Sequence, residues 1–150
     1  MNAVHFFGLA VVASAVTAMA VASPQNPGSL EKGGEHAAHF LACARACAEC
    51  SLQCDSCHHH CEQIVIKGSK EHVKSMDLCV DCGEACRFAA TLTARHSRLS
   101  VLACECCARC CDECATACEA FKDDRHMSEC AKACRDCAKS CRDMVKLVKA

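Results

Sequence analysis

The sequence predicts an all-α protein, an antiparallel up-down-up-down four-helix bundle with a Cys-lined core. Three observations carry that expectation. The 20 cysteines in 150 residues mostly recur at alternating steps of three and four, a spacing that stacks side chains on one stripe of an α-helix and fits no strand. They fall into four runs divided by turn-forming residues. Leu, Ile, Val and Phe together supply only 19 of the 128 residues from Ser23 onward, about 15%, below the roughly 20% at which a charged chain begins to look disordered. The core must therefore be built from cysteine, or from something the cysteines bind.

The first helix is expected over 35–67, with Cys43, Cys47, Cys50, Cys54, Cys57 and Cys61 in one seam. Gly68-Ser69 ends it. Ser69 is a suitable N-cap and Glu71 a suitable first-turn acid for a second helix over 70–95, whose seam is Cys79, Cys82 and Cys86. The segment Thr93 to Ser97 breaks the pattern again, with Ser97 as the cap of a third helix over 98–121. That helix carries Cys104, Cys107, Cys111, Cys114 and Cys118. After Lys122-Asp123-Asp124, with Asp124 as cap, a fourth helix over 125–148 carries Cys130, Cys134, Cys137 and Cys141. At about 100° per residue, Cys110 lies about 70° and Cys106 about 110° away from the seam of the third helix. Helices of about 25 residues with short connections pack as antiparallel neighbours, which turns the seams toward one another. Arg45, Glu49, Lys74, Glu84, Arg109, Glu113, Lys132, Arg135, Asp136 and Lys139 fall opposite the seams as an ordinary solvated face.

The N-terminal residues form a separate piece. Residues 1–22 contain no Lys, Arg, Asp or Glu, and their Ala- and Val-rich stretch ends in Ala20-Val21-Ala22 before Ser23-Pro24. This is the pattern of a secretory signal peptide cleaved after Ala22. About 17 apolar residues, many of them Ala, are marginal for a bilayer span. Residues 23–34 read as a flexible linker, leaving 35–150 as the folded domain of an exported, periplasmic protein. The stretch holds no twin-Arg pair, so the export route is unassigned.

Composition narrows the chemistry. The net charge is −1, with no Trp and no Tyr, so the chain has neither the basic footprint nor most of the stacking aromatics of a nucleic-acid binder. No Ser/His/Asp set, paired-carboxylate site or Gly-rich phosphate loop stands out, and the chain reads as a binding protein and not an enzyme. Eighteen seam cysteines would leave a tube of small side chains in want of a filler, since core voids cost stability in proportion to their volume. A disulfide framework fits poorly within a helix. Residues i and i+4 hold their Cβ atoms about 5–6 Å apart, whereas a disulfide wants about 3.8 Å. The same spacing suits one soft cation held between two thiolates. Thiolates select Cu(I), Zn(II) or iron–sulfur clusters. Zinc favours closed four-ligand sites, and the loop-borne spacing of cluster proteins is absent. If each thiolate bridges two Cu(I) ions and each ion takes two sulfurs, ions and thiolates are equal in number and the core is neutral. Neutrality matters because uncompensated buried charge is very costly.

The runs CARACAECSLQCDSCHHHC, CVDCGEAC, CECCARCCDECATAC and CAKACRDCAKSC resemble the four-helix-bundle copper storage proteins, a Cys-rich bacterial family, over about 35–148. The leader resembles the exported branch and the cysteine count the cytosolic one. The resemblance implies storage of many Cu(I) ions, chiefly on thiolates, with His and Met at an open end. His60 directly before Cys61 and Met76 three residues before Cys79 stand in the family manner. The expected ligands are the 18 seam cysteines, Cys110, His60, Met76, His126 and Met127. His58, His59 and His72 lie at the same end, the first two equally readable as solvated. At the other end His36, His39 and Met144 continue their seams, and Phe40, Leu92, Val101 and Leu147 are expected to form a plug. Copper ions are the expected cargo, with a copper chaperone or cuproenzyme recipient as partner, no nucleic acid and no membrane contact for the mature chain. Homo-oligomerisation is left open. A disulfide-rich exported structural or interaction module and a broad soft-metal detoxifying thiol protein are the alternatives.

Overall fold

The computed structural model describes residues 27–150, of which it contains four α-helices and two short 3-10 turns. They are α1 (Pro27–Ile66), α2 (Val73–Ala94), α3 (Ser100–Cys118) and α4 (Arg125–Lys149). The 3-10 turn Lys70–His72 leads into α2, and Glu119–Phe121 extends the end of α3. The expected signal peptide, residues 1–22, lies outside the described residues. The expected linker does so only in part, because α1 begins at Pro27 and residues 27–34 continue it as helix. Proline suits a first helical position, where its fixed φ is preorganised and no amide hydrogen is needed.

The chain turns where its backbone chemistry lets it. At the end of α1, Gly68 takes φ +105°, its amide donates to the Val65 carbonyl at 2.9 Å, and the Ser69 amide reaches the Ile64 carbonyl at 3.3 Å. That is a Schellman closure with glycine at the left-handed position. The end of α2 repeats it without glycine. His96 (φ 51°) donates to Thr93 and Ser97 to Leu92, each at 3.0 Å, and the His96 ring stacks on Phe40 at 4.5 Å. Asp124 caps α4, its Oδ1 accepting from the amides of His126 (2.8 Å) and Met127 (3.3 Å). Ser69 does not cap through its side chain. Ser97 accepts from the Leu99 amide at 3.2 Å, within the turn that precedes α3.

Each helix packs on its two neighbours in the cycle α1–α2–α3–α4, which is the expected antiparallel bundle. The residue after a seam cysteine is small at seven buried positions: Ala44, Ser51, Gly83, Ala108, Ala115, Ala131 and Ala138. Small residues there let adjacent helices approach closely. A Cβ at Gly83 would stand 3.3 Å from both Asp55 Oδ1 and Arg87 Nη2. Outside, ion pairs such as Arg87–Asp55 at 2.7 Å and Lys132–Asp136 at 2.6 Å decorate the exposed faces, where solvent screening leaves each of them little weight. Arg135 pairs with Asp112 and Glu119 and ties α4 to α3.

Candidate metal centre

Four helical seams place 18 cysteines in the core, each at 0–1% exposure. They are the 18 that the three–four spacing selects. Their sulfurs are in mutual contact. Between adjacent helices, Cys47 and Cys141 stand 3.4 Å apart, Cys86 and Cys107 3.5 Å, and Cys82 and Cys111 3.5 Å. Across the bundle diagonals, Cys43 meets Cys104 at 3.8 Å, Cys50 meets Cys111 at 4.0 Å, Cys82 meets Cys134 at 3.9 Å and Cys86 meets Cys137 at 3.9 Å. The diagonal contacts correct the expectation of an open, underpacked tube. Alanine, serine and glycine beside the seams bring the helices close enough for sulfur to meet sulfur on the axis.

The sulfurs group into overlapping sets of four whose members lie within 4.8 Å of one another. Cys50 and Cys82 belong both to the set with Cys86 and Cys111 and to the set with Cys54 and Cys134. Cys54 and Cys134 recur in the set with Cys114 and Cys130, and Cys130 recurs with Cys57, Cys79 and Cys118. A tetrahedral zinc site needs its four ligands to itself. A chain of sets that share corners instead favours ions bridged by common thiolates.

Contacts among the thiols shift them in both directions, Cys82 downward through its bond with Cys111 and Cys104 and Cys61 upward. A hydrogen bond from Cys141 pulls Cys104 down, but contact with Cys43 and burial outweigh it and push the thiol up to about 12. Contact with Cys57 and burial also raise Cys61. The linkage follows from the sign of the shift. A raised thiol holds its proton more tightly in the folded state, so its contribution is complete below the ordinary value of 9.0 and is lost as pH climbs toward about 12. The difference in urea-unfolding midpoint between reduced, copper-free wild type and Cys104→Ser should therefore hold through neutral pH and shrink above pH 9. A difference that grows over that window would contradict the assignment.

The end where α1 and α3 finish and α2 and α4 begin gathers the non-thiol donors. Met127 is fully buried, its Sδ 3.6 Å from Cys57 Sγ and 3.5 Å from Cys61 Sγ, so it continues the sulfur seam. Met76 is half-buried against the core. His60 and His126 stack at 4.6 Å between ring centres. His60 Nε2 is 2.7 Å from Asp124 Oδ2, and His126 Nε2 is 3.0 Å from Ser56 Oγ. A His60 that donates Nε2–H to Asp124 keeps its Nδ1 lone pair for a cation, the usual carboxylate–imidazole arrangement behind a ligating histidine. Burial pushes Asp124 up, but the hydrogen bonds from His60 and from the Met127 and His126 amides outweigh it and hold the carboxyl below its ordinary value. Of the remaining histidines here, His58 Nδ1 lies 3.2 Å from the Met76 carbonyl, and His59 is exposed beside Glu62.

One participant escaped the sequence reading, and a second was placed at this end without being chosen as a ligand. Asp124 was legible as a cap but not as the partner of His60, a contact made 64 residues apart. His72 is buried against Phe121, with ring centres 3.9 Å apart, and its Nδ1 has no hydrogen-bond partner. A signal for it was present, since His72, Met76 and Cys79 continue the seam of α2 at steps of four and three. At the opposite end Leu92 and Met144 are buried, Phe40, Val101 and Leu147 half-buried, and His36 and His39 exposed. Thr93, fully buried, puts Oγ1 3.4 Å from Cys104 Sγ. Off the seams, Cys110 is half-buried and Cys106 exposed. Burial and the neighbouring Cys106 push the Cys110 thiol up to about 12.

Comparison with known proteins agrees with this geometry. Among solved structures the chain is similar to the Cu(I)-bound copper storage protein BsCsp3, with 31% identity and a TM-score of 0.63 over 71% of this chain and 98% of that one. It is also similar to the Nmul_A1745 protein from Nitrosospira multiformis, with 33% identity and a TM-score of 0.62 over 73% of this chain and 96% of that one. A search of curated proteins finds no match. The family model for copper storage proteins matches residues 35–146, the span that holds all four cysteine runs. The chain belongs to the copper storage protein family.

Proposed function

We propose that this chain stores and sequesters Cu(I), holding many ions as cargo on the inward thiolates of the bundle. One observation carries the reading: four of the four-sulfur sets share corners in an unbroken chain from Cys86 and Cys111 to Cys57 and Cys118, so the shared thiolates need not belong to a single ion. Bridging thiolates with a monovalent soft ion reach one-to-one neutrality, and each ion that enters displaces thiol protons. In this reading the 18 seam cysteines carry capacity. Met127 extends the seam, and His60, Met76 and His126 serve the end where ions enter and leave. Exchange with a copper chaperone or cuproenzyme recipient belongs to the same proposal, as does export to the periplasm behind a leader cleaved after Ala22. No helix among the described residues is long and apolar enough to cross a membrane.

The test is an anaerobic titration of fully reduced protein with Cu(I) against a competing chelator, with a parallel thiol count. Saturation is expected at about 15–20 ions per chain, from bridging by soft thiolates. Saturation at two to five ions would mean isolated sites and would sink the proposal. Zn(II) should stop at far fewer ions, because divalent charge and tetrahedral demand do not fit shared corners. Equal capacity for zinc would instead favour a broad soft-metal detoxifier.

A further inference from the structure

Two of the 20 cysteines take no part in the interior network. Cys106 is exposed and Cys110 half-buried on the outer side of α3, one helical turn apart. They line an open groove of about 420 Å³ between α2 and α3, together with Leu78, Leu102, Arg109 and Asp81. Cys110 packs against the sulfur core from outside, while Cys106 is open to solvent.

We propose that Cys106 and Cys110 form a separate, solvent-facing site for a single soft monovalent cation, Cu(I) in the first instance, held between two thiolates. The i, i+4 spacing aims both sulfurs the same way, with Cβ atoms about 5–6 Å apart. That separation is wide for an unstrained disulfide, which wants about 3.8 Å, and is suited to an ion placed between the sulfurs. Charge explains why this pair stands outside. Two thiolates with one Cu(I) carry a net charge of −1, which the interior avoids by bridging. An open groove tolerates it because water reaches the site, with Arg109 on the same lining as Asp81, Glu105 and Glu113. Binding releases the two thiol protons to solvent and involves no change of oxidation state. A digonal ion exposed on one side is open to attack by an incoming thiolate, so the site suits exchange with an external thiol donor or acceptor. The interior thiolates are shielded from such an approach. The site does not depend on the interior store.

The experiment is timed alkylation of the full reduced chain by iodoacetamide under anaerobic conditions, without metal and after saturation with Cu(I), with peptide mass spectrometry reading each cysteine. Cys106 should react fast in metal-free protein, and saturation should slow it about tenfold or more, since the metal-held sulfur is no longer a free nucleophile. In Cys110→Ser, Cys106 should keep its fast rate in the presence of Cu(I). In Cys106→Ser, an exposed substitution that leaves the core intact, Cys110 should lose its metal protection likewise. Equal labelling of wild-type Cys106 with and without Cu(I) overturns the proposal. So does protection that survives Cys110→Ser, protection by Zn(II) but not Cu(I), or protection that appears without metal in a disulfide-linked dimer on gel filtration. Total copper is counted in the same samples. A protected pair with a low total leaves this site standing and removes the interior store; an unprotected pair with about 15–20 ions does the reverse.

Discussion

Saturating the reduced protein with Cu(I) should raise its melting temperature by more than about 20 °C without adding helix. Each site present only in the folded state contributes about 2.7 kcal/mol when free ligand stands at a hundred times its dissociation constant. Ten or more such sites exceed the roughly 5–15 kcal/mol that holds an ordinary domain together. For a domain of this size each kcal/mol moves the midpoint by a few degrees, so even a fraction of the nominal sum gives a shift of that order. The helices themselves do not wait for metal. Schellman closures end α1 and α2, Asp124 caps α4, and pairs such as Arg125–Glu129 at 2.7 Å and Lys139–Asp143 at 2.5 Å link successive turns of α4. The sulfurs already touch across the axis. Circular dichroism during melting of copper-free and loaded protein decides the matter. A random-coil spectrum for the copper-free protein would mean that metal drives folding, and a loaded midpoint within a few degrees of the free one would mean that copper does not bind the folded interior.

The bundle was legible because cysteine here obeys one rule at every position. Alternating steps of three and four mark the face of a helix whether the residue on that face is leucine or cysteine, and Gly68 and Asp124 punctuate the chain with ordinary turn and cap chemistry. The same arithmetic separated Cys106 and Cys110 from the seams, and the structure leaves those two outside the core. Packing depth was not legible. An expectation of an underfilled tube treats cysteine as a poor substitute for leucine at a fixed helix spacing. The spacing itself contracts when Ala44, Gly83, Ala108 and Ala138 sit beside the seams. The start of α1 was misplaced because Pro27, Gly33 and Gly34 read locally as linker, whereas the helix runs through them. The carboxylate behind His60 and the burial of His72 depend on contacts between elements, which periodicity along one helix does not encode.

Changing His60, Met76 and His126 to Ala should slow both copper uptake and copper removal, by about tenfold each, with total capacity nearly unchanged. Imidazole and thioether hold Cu(I) less firmly than thiolate does, so donors of this kind speed exchange without adding much to the store. Their placement fits that role. His60 and His126 are half-buried, stacked and tied to Asp124 and Ser56, whereas Met127 just beneath is fully buried against Cys57 and Cys61. Replacing Cys50 and Cys134 by Ser should do the opposite. Cys134 lies 3.8 Å from both Cys50 and Cys54, and Cys50 and Cys134 each belong to two of the four-sulfur sets. Their loss should lower capacity by about two to four ions, because each bridging thiolate serves two coppers, and leave the first phase of uptake close to wild type. Stopped-flow uptake beside end-point stoichiometry separates the two variants. If the triple variant loads at the wild-type rate and changes at His36, His39 and Met144 slow it instead, copper enters at the other end. There an ion would first have to pass the buried Leu92 and Met144 and the Phe40–His96 stack, which offer imidazole and thioether but a largely apolar path. The His60 end presents its donors in sequence from half-buried imidazole to buried thioether to thiolate, so each step inward trades a weaker ligand for a stronger one.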